Sequence, residues 1–240
     1  MPQKINVKNY WDTVNMPWGR LFYKLVWNHL DYKNMKILDF GSGFGITADF
    51  LAGNNDVTAI EPGREMLQYR TCNNNYKQIN GSTEQLKKLP DNYFDVITCH
   101  NVLEYIDNRK EVFGEFYRLL KPEGEVSIVK HNKAGKAMQK AVFENNIPDA
   151  IKLLKNEDIV SANFGTINEY SDADLDSYIN GKFIIKNKYG LRIFFALQRN
   201  EFKENPDWIN EMFEIESIAE EIPAFRDIAF FHHIILGKHI

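Results

Sequence analysis

Apolar and polar positions along this chain alternate between two periods. Residues 17–30 (PWGRLFYKLVWNHL) place apolar side chains at helical spacing and predict an N-terminal helix. The short apolar run 35–40 (MKILDF) then ends in an acid and a glycine-rich turn. Helical spacing returns over 46–52, a strand pattern over 56–60 (DVTAI) stops at Glu61-Pro62-Gly63, and 64–72 reads as helix. Residues 76–80 and 93–100 (YFDVITCH) are the third and fourth strand patterns. An amphipathic helix is predicted over 108–120, stopped by Lys121-Pro122-Glu123-Gly124, and a fifth strand over 125–130 (EVSIVK). Strands alternating with helices predict a parallel sheet covered on both faces.

The second half changes character. Residues 134–154 read as helix, and Ser171 with Asp174 three positions later makes a capping-box start for another. Residues 183–186 and 191–196 are strand-like, 205–221 is a helical insert, and 225–236 (FRDIAFFHHIIL) predicts a long last strand. The late β runs would form a hairpin at the sheet edge, with an antiparallel last strand. The expectation is an α/β fold: a doubly wound, mostly parallel seven-stranded sheet with a helical insert. It is expected in one domain over residues 1–240, with a helical lid over about 1–34 and a substrate-shaping insert over about 131–170.

Composition narrows the function classes. With 240 residues, 44% of them hydrophobic, the chain can bury one sizeable core. A net charge of -4 does not advertise a nucleic-acid backbone binder. Cys72 and Cys99 are too few for a zinc site or a disulfide framework, so no metal and a reducing cytoplasm are expected. The opening MPQKINVKNYWD lacks the apolar core of a signal peptide, and no apolar run reaches the ~18–20 residues of a membrane span. His232 and His233 alternate in a β run and face opposite sides, which argues against a shared metal.

The run ILDFGSGFG carries the first candidate chemistry. A strand ends at Asp39, and glycines follow at alternate positions, Gly41, Gly43 and Gly45. Such a turn lets the backbone approach a ligand, beyond the carboxyl end of a strand and at the start of a helix whose N–H groups favour a carboxylate. A dinucleotide fingerprint, G-x-G-x-x-G, fails at Ile46; the observed G-x-G-x-G is the nucleoside–methionine variant. Glu61 ends the second strand, where a carboxylate can accept from both hydroxyls of a ribose. Met66 either packs on an adenine or belongs to the core. Asn80-Gly81-Ser82-Thr83-Glu84 follows the third strand, where Ser82 and Thr83 would read the adenine edge. His100 lies where the fourth strand ends.

Together ILDFGSGFG, Glu61, FDVITCHNVLEYI and RLLKPEGEVSI resemble the class I S-adenosylmethionine-dependent methyltransferases, over residues 35–132. The resemblance implies S-adenosylmethionine as cofactor and S-adenosylhomocysteine as product. It implies Asp39, Phe40, Gly41, Ser42 and Gly43 at the methionine part, Glu61 with Pro62 at the ribose, Met66, Ser82 and Thr83 at the adenine, and His100 at the cofactor or substrate. Local runs also resemble bacterial tRNA 5-carboxymethoxyuridine methyltransferases: Gly19-Arg20-Leu21, His100-Asn101-Val102-Leu103-Glu104, Asn132, Gly190-Leu191-Arg192-Ile193-Phe194 and His233. That family esterifies a carboxylate on a wobble uridine; its insert is far more basic than the one here.

The sulfonium already activates the methyl group, so such a protein supplies alignment and electrostatics. A carboxylate acceptor needs no base; for a hydroxyl or amine, His100 is the first candidate, its alternative being a pocket wall. Arg20 either pairs with a cofactor carboxylate or acidic substrate, or is a solvated helix arginine. Tyr10, with Trp11, forms part of a lid or anchors the first helix. Arg192 and Asn132 are substrate candidates, Arg192 for an anion, with a strand-end surface charge as its alternative. Lys133, Lys136, Lys140, Lys152 and Lys155 form a solvated face or a weak anion-binding surface. The expected function is methyl transfer to a polar group, such as a carboxylate, of a small molecule or a modified tRNA nucleoside. A non-catalytic S-adenosylmethionine-binding regulator and a nicotinamide oxidoreductase are the alternatives, and the glycine spacing speaks against the latter.

Overall fold

Pro17 opens the longest N-terminal element because a missing N–H costs nothing in a first helical turn. In the computed structural model, residues 7–157, 168–203 and 205–239 are described. Helices α1 (Val7–Val14) and α2 (Pro17–Asn28) precede β1 (Lys36–Phe40), α3 (Ile46–Ala52), β2 (Asp56–Glu61), α4 (Arg64–Gln68), β3 (Lys77–Asn80), α5 (Thr83–Leu86) and β4 (Phe94–His100). Then come α6 (Arg109–Leu119), β5 (Leu120–His131), α7 (Lys133–Met138), α8 (Ile147–Leu154), α9 (Asp172–Ile179), β6 (Phe183–Leu191), α10 (Pro206–Ala219), α11 (Pro223–Arg226) and β7 (Phe231–Lys238).

The seven strands described form one sheet in the order β3-β2-β1-β4-β5-β7-β6. The pairs among β3, β2, β1, β4 and β5 are parallel, and the last strands are antiparallel. The doubly wound expectation therefore holds.

The chain divides into two compact units. One comprises residues 30–130, 170–187 and 234–240. Its core gathers Leu38, Phe40, Ile97 and Ile128 from the sheet with Phe113, Phe116, Leu175 and Ile179 from α6 and α9. Arg109 is buried at the start of α6, donating to Leu103 O at 2.7 Å and lying over the Tyr170 ring at 4.9 Å. The capping box predicted at Ser171 is present: the Ser171 hydroxyl accepts from Asp174 N, and the Asp174 carboxylate accepts from Ser171 N.

The other unit comprises residues 1–29, 131–169 and 188–233. In it α2 lies against α10, with Lys24 Nζ 4.0 Å from the Phe213 ring centroid. His29 stacks on Tyr189 at 3.9 Å and meets His233 through their Nδ1 atoms at 2.9 Å. The insert expected over 131–170 falls partly outside the described residues, as do residues 1–6 of the expected lid.

Five boundaries differ from the sequence expectation, each for a local reason. The helix predicted to residue 72 stops at Gln68, because Thr71 N donates to Phe44 O at 2.8 Å and draws the chain aside. The stop at 121–124 is a bulge inside β5: Leu120 pairs with Phe94, and pairing resumes at Val96↔Glu125. The helix over 134–154 breaks after a π-helical turn, Gln139–Phe143, where Asn145 takes φ 52° and Asn146 caps α8. No strand forms over 191–196 beyond Leu191; Arg192 turns to φ 57° and the next N–H groups bond to a carboxylate. The last strand starts at Phe231, because Pro223 initiates the short helix α11. β7 also lies inside the sheet, between β5 and β6, and is buried from Phe231 to Gly237; β6 is the edge, with Ile184 and Ile185 exposed.

Candidate functional site

The glycine run folds as a left-handed staircase at the carboxyl end of β1. Gly41, Gly43 and Gly45 have φ of 78°, 54° and 70°, conformations that side-chain-bearing residues rarely adopt. Gly41 N and Ser42 N donate to Ile60 O at 2.9 and 3.0 Å, pinning the loop to β2. The two leading glycines do different jobs. A Cβ on Gly41 would lie 2.3 Å from Val102 Cγ2, so this position lets the β1 and β4 loops close together. A Cβ on Gly43 would meet nothing nearer than Met66 Sδ at 3.9 Å, so Gly43 leaves its side of the loop open.

Glu61 ends β2 and is buried. Its Oε2 accepts from Gly43 N at 2.8 Å and its Oε1 from Gly63 N at 2.6 Å. Each oxygen keeps a further lone pair for a ligand hydroxyl. Burial raises the Glu61 pKa, and the two backbone bonds work against that rise. Asp39 is buried at the end of β1; Thr98 Oγ1 donates to its Oδ1 at 2.7 Å. Burial, opposed by the Thr98 bond and reinforced by the charge of Glu61, pushes its pKa up to about 6.

Asn80 ties the next loop down: its Nδ2 donates to Glu61 O at 2.9 Å and its Oδ1 accepts from Arg64 Nε at 3.1 Å. The Ser82 and Thr83 side chains lie partly buried beyond it, with no hydrogen bond from either hydroxyl among the described residues. Met66 is partly buried on α4 and flanks both Gly43 and Gly63, a wall of the loop cluster and not core. Pro62 is exposed, and Phe40 points into the core against Phe116 at 5.6 Å, leaving only its backbone at the loop. His100, at the end of β4, lies 2.9 Å from Ser127 Oγ through Nε2. Burial alone lowers its pKa to about 3, so its imidazole is neutral at physiological pH.

The remaining sequence candidates belong to the other unit. Arg20 is exposed on α2, and Tyr10 is partly buried on α1. Asn132 caps α7, and its Nδ2 donates to Asp227 O at 2.9 Å and Ala229 O at 2.8 Å, which commits both amide hydrogens to the fold. Arg192 is partly buried among aromatic rings.

Sequence reasoning missed several residues of the loop cluster. Thr98 and Val102 read as ordinary strand and loop positions. Gln78 Oε1 and Asn101 Oδ1 are buried acceptors with no hydrogen-bond partner among the described residues, as is Asp39 Oδ2. Asn101 carries one legible signal: a polar residue directly after an apolar strand, where the structure gives it φ 56°.

Residues 38–128 match the family model described as a methyltransferase domain. That segment is similar to methyltransferase domains. The chain is 32% identical over 116 residues to the ubiquinone biosynthesis O-methyltransferase of Pseudomonas aeruginosa, covering 45% of this chain and 49% of that one. It is 29% identical over 122 residues to the ubiquinone/menaquinone biosynthesis C-methyltransferase of Shewanella pealeana, covering 46% and 48%. The matched stretch thus spans about half the length of these curated relatives. Among solved structures, the S-adenosylmethionine-dependent methyltransferase of Mesorhizobium loti shares the fold, with a TM-score of 0.58 at 14% identity over 90% of this chain and 97% of that one.

The cofactor of this domain family is S-adenosylmethionine, and the residues fit it. The cofactor offers an ammonium, two ribose hydroxyls and an adenine amino group as donors. The domain offers buried acceptors without partners among the described residues, Asp39 Oδ2, Gln78 Oε1 and Asn101 Oδ1, around a loop kept clear at Gly43. The dinucleotide alternative is not favoured: Ile46 stands at its third glycine position and begins α3. Among the described residues no group of three or more His, Cys, Asp or Glu side chains is placed to hold a metal, and no helix is long and apolar enough to cross a membrane.

Proposed function

We propose that this protein transfers the methyl group of S-adenosylmethionine to a polar group of a small molecule. One observation carries the reading: a matched methyltransferase domain presents Glu61 and Asp39, both buried carboxylates, on either side of a glycine backbone left open at Gly43. When bound, the cofactor supplies a methyl group already activated by its sulfonium.

The chain supplies placement. Asp39 and Glu61 hold cationic and hydroxyl-bearing parts of the cofactor, and their charge is uncancelled by any buried base among their hydrogen-bond partners. Ser82 and Thr83 read the adenine edge with hydroxyls that no bond within the described chain engages. His100 is a neutral hydrogen-bonding group held by Ser127; a conjugate acid of pKa about 3 is a weak proton acceptor at neutral pH. The acceptor in this reading is therefore a carboxylate, or a group that loses its proton to solvent. Asn132 serves as a positioning residue for α7.

The names of the relatives, which concern quinone biosynthesis, support a small-molecule acceptor. A carboxylate on a modified wobble uridine is the second reading, favoured by the runs at 100–104 and 190–194. Transfer of tritiated methyl to metabolite extracts or to bulk tRNA separates them. Label in a small molecule with tRNA unlabelled supports the first; labelled tRNA alone replaces it with the second; label in neither removes the proposed activity.

A further inference from the structure

Remote from the glycine loop in sequence, one unit holds two cationic side chains around a single aromatic ring, Phe195. The guanidinium carbon of Arg192 lies 5.1 Å from the Phe195 centroid, 5.1 Å from that of Phe230 and 5.6 Å from that of Phe231. Its Nε is buried and has no hydrogen-bond partner among the described residues. Lys203 shares the same ring: its Nζ is 4.7 Å from the Phe195 centroid and 4.7 Å from that of Phe143. The lysine is only 6% exposed, and among the described residues its ammonium donates to Asn200 Oδ1 at 3.2 Å.

The nearby acid does not balance these charges. Glu216 is fully buried on α10, and its carboxylate is taken up by backbone: Oε2 accepts from Ile193 N at 2.7 Å, and Oε1 from Phe194 N and Phe195 N at 2.9 Å. It folds the 193–195 turn and tempers Arg192 at a distance, so among these described residues two cations share one acid. Burial lowers the Arg192 pKa to about 10, and burial together with the like charge of Arg192 lowers that of Lys203 to about 8. Rings favour cations on their faces, yet that attraction does not replace a counter-ion in a dehydrated place.

We propose that Arg192 and Lys203 form an oxyanion-binding site, in which the open edge of the Arg192 guanidinium takes a carboxylate or phosphate oxygen and Lys203 supplies the second positive charge. Arginine suits a planar fork of oxygens and lysine a point charge, so the pair accepts either anion. Phe195, Phe230 and Phe231 wall the site with apolar surface, which fits an anionic group carried on an apolar body. The site uses no residue of the glycine loop, and its test is independent of methyl transfer.

Thermal unfolding of the full chain in inorganic phosphate, in acetate and in chloride at matched ionic strength tests it. The wild type is expected to melt several degrees higher in phosphate or acetate than in chloride. Lys203→Met is expected to melt above wild type in chloride, because a buried like charge is gone, and to lose the anion-specific shift. Arg192→Gln is expected to lose it as well, and calorimetric titration with the anion that shifts wild type should show affinity reduced at least about tenfold in each variant. A shift in phosphate alone identifies a phosphate site, in acetate alone a carboxylate site, and in both a general oxyanion site. Equal shifts in wild type and both variants are an ordinary salting-out effect and overturn the proposal. So does a wild type that responds to neither anion.

Discussion

Gly43 donates its backbone N–H to Glu61 Oε2 at 2.8 Å, so the glycine loop after β1 and the acid ending β2 are one hydrogen-bonded unit. The same carboxylate also accepts from Gly63 at 2.6 Å. Glu61 therefore shapes the loop as well as offering acceptors to a ligand. Removing it is expected to cost both. Glu61→Ala should weaken S-adenosylhomocysteine binding at least roughly tenfold and destabilise the fold by about 1–3 kcal/mol, since two partly buried N–H groups lose their acceptor. Calorimetry and denaturant titration read the two effects separately, and unchanged affinity in a folded variant would show that the ribose lies elsewhere.

Gly41 and Gly43 are expected to fail differently when each is given a methyl group. Gly41→Ala forces a Cβ to 2.3 Å from Val102 at φ 78°, and should lower stability by about 2–4 kcal/mol. Val102→Ala in the same chain should restore part of that loss. Gly43→Ala meets open space and pays only the left-handed strain, about 1–2 kcal/mol, yet it places a methyl where the ligand approaches. Its S-adenosylhomocysteine affinity should fall at least roughly tenfold with the fold intact. Full affinity in Gly43→Ala would contradict the open-loop assignment.

Asp39 ties stability to pH. Its carboxyl is raised in the fold from 3.8 to about 6, so the protonated form is favoured there more than in the unfolded chain. The stabilisation this gives is complete below about pH 4 and is lost as pH rises towards 6, an effect of roughly 2–3 kcal/mol in the ligand-free protein. Glu61, shifted in the same direction, adds to the slope. Asp39→Asn should flatten the stability profile across that window. A cationic ligand should reverse the trend, with S-adenosylmethionine binding more weakly at pH 5 than at pH 7.5. A ligand-free profile that rises from pH 4 to 6 and is unaffected by Asp39→Asn would count against this electrostatic picture.

His100 is expected to stay neutral across the physiological range. With a pKa of about 3, its ring protons should show no titration shift in NMR spectra between pH 5 and 8. A midpoint between 6 and 7 that vanishes in His100→Gln would restore it as a proton acceptor.

The sequence was most legible where one physical requirement dominates. Alternate glycines after a buried strand announced the loop, and the apolar runs at β1, β2 and β4 located the centre of the sheet. The Ser171–Asp174 spacing gave a true capping box because both bonds are local. Long-range competition hid the rest. Apolar residues 191–196 read as strand, but Glu216, distant in sequence, captures the N–H groups of 193–195 before a sheet partner can. Buried β7 and exposed β6 carry similar apolar runs, so their order at the sheet edge was not readable from periodicity. Asn132 was a substrate candidate through the tRNA-methyltransferase resemblance; the long-range bonds of its amide to the 227–229 backbone had no signal in the sequence. Lys203 and Glu216 gave no local signal, since their meaning comes from one shared ring and one shared turn.

Calorimetric titration of the full chain with S-adenosylhomocysteine, beside NAD, reads which ligand the glycine loop takes. Saturable one-to-one binding of S-adenosylhomocysteine is expected, with no heat of binding from NAD. Binding of NAD with none of S-adenosylhomocysteine would contradict it.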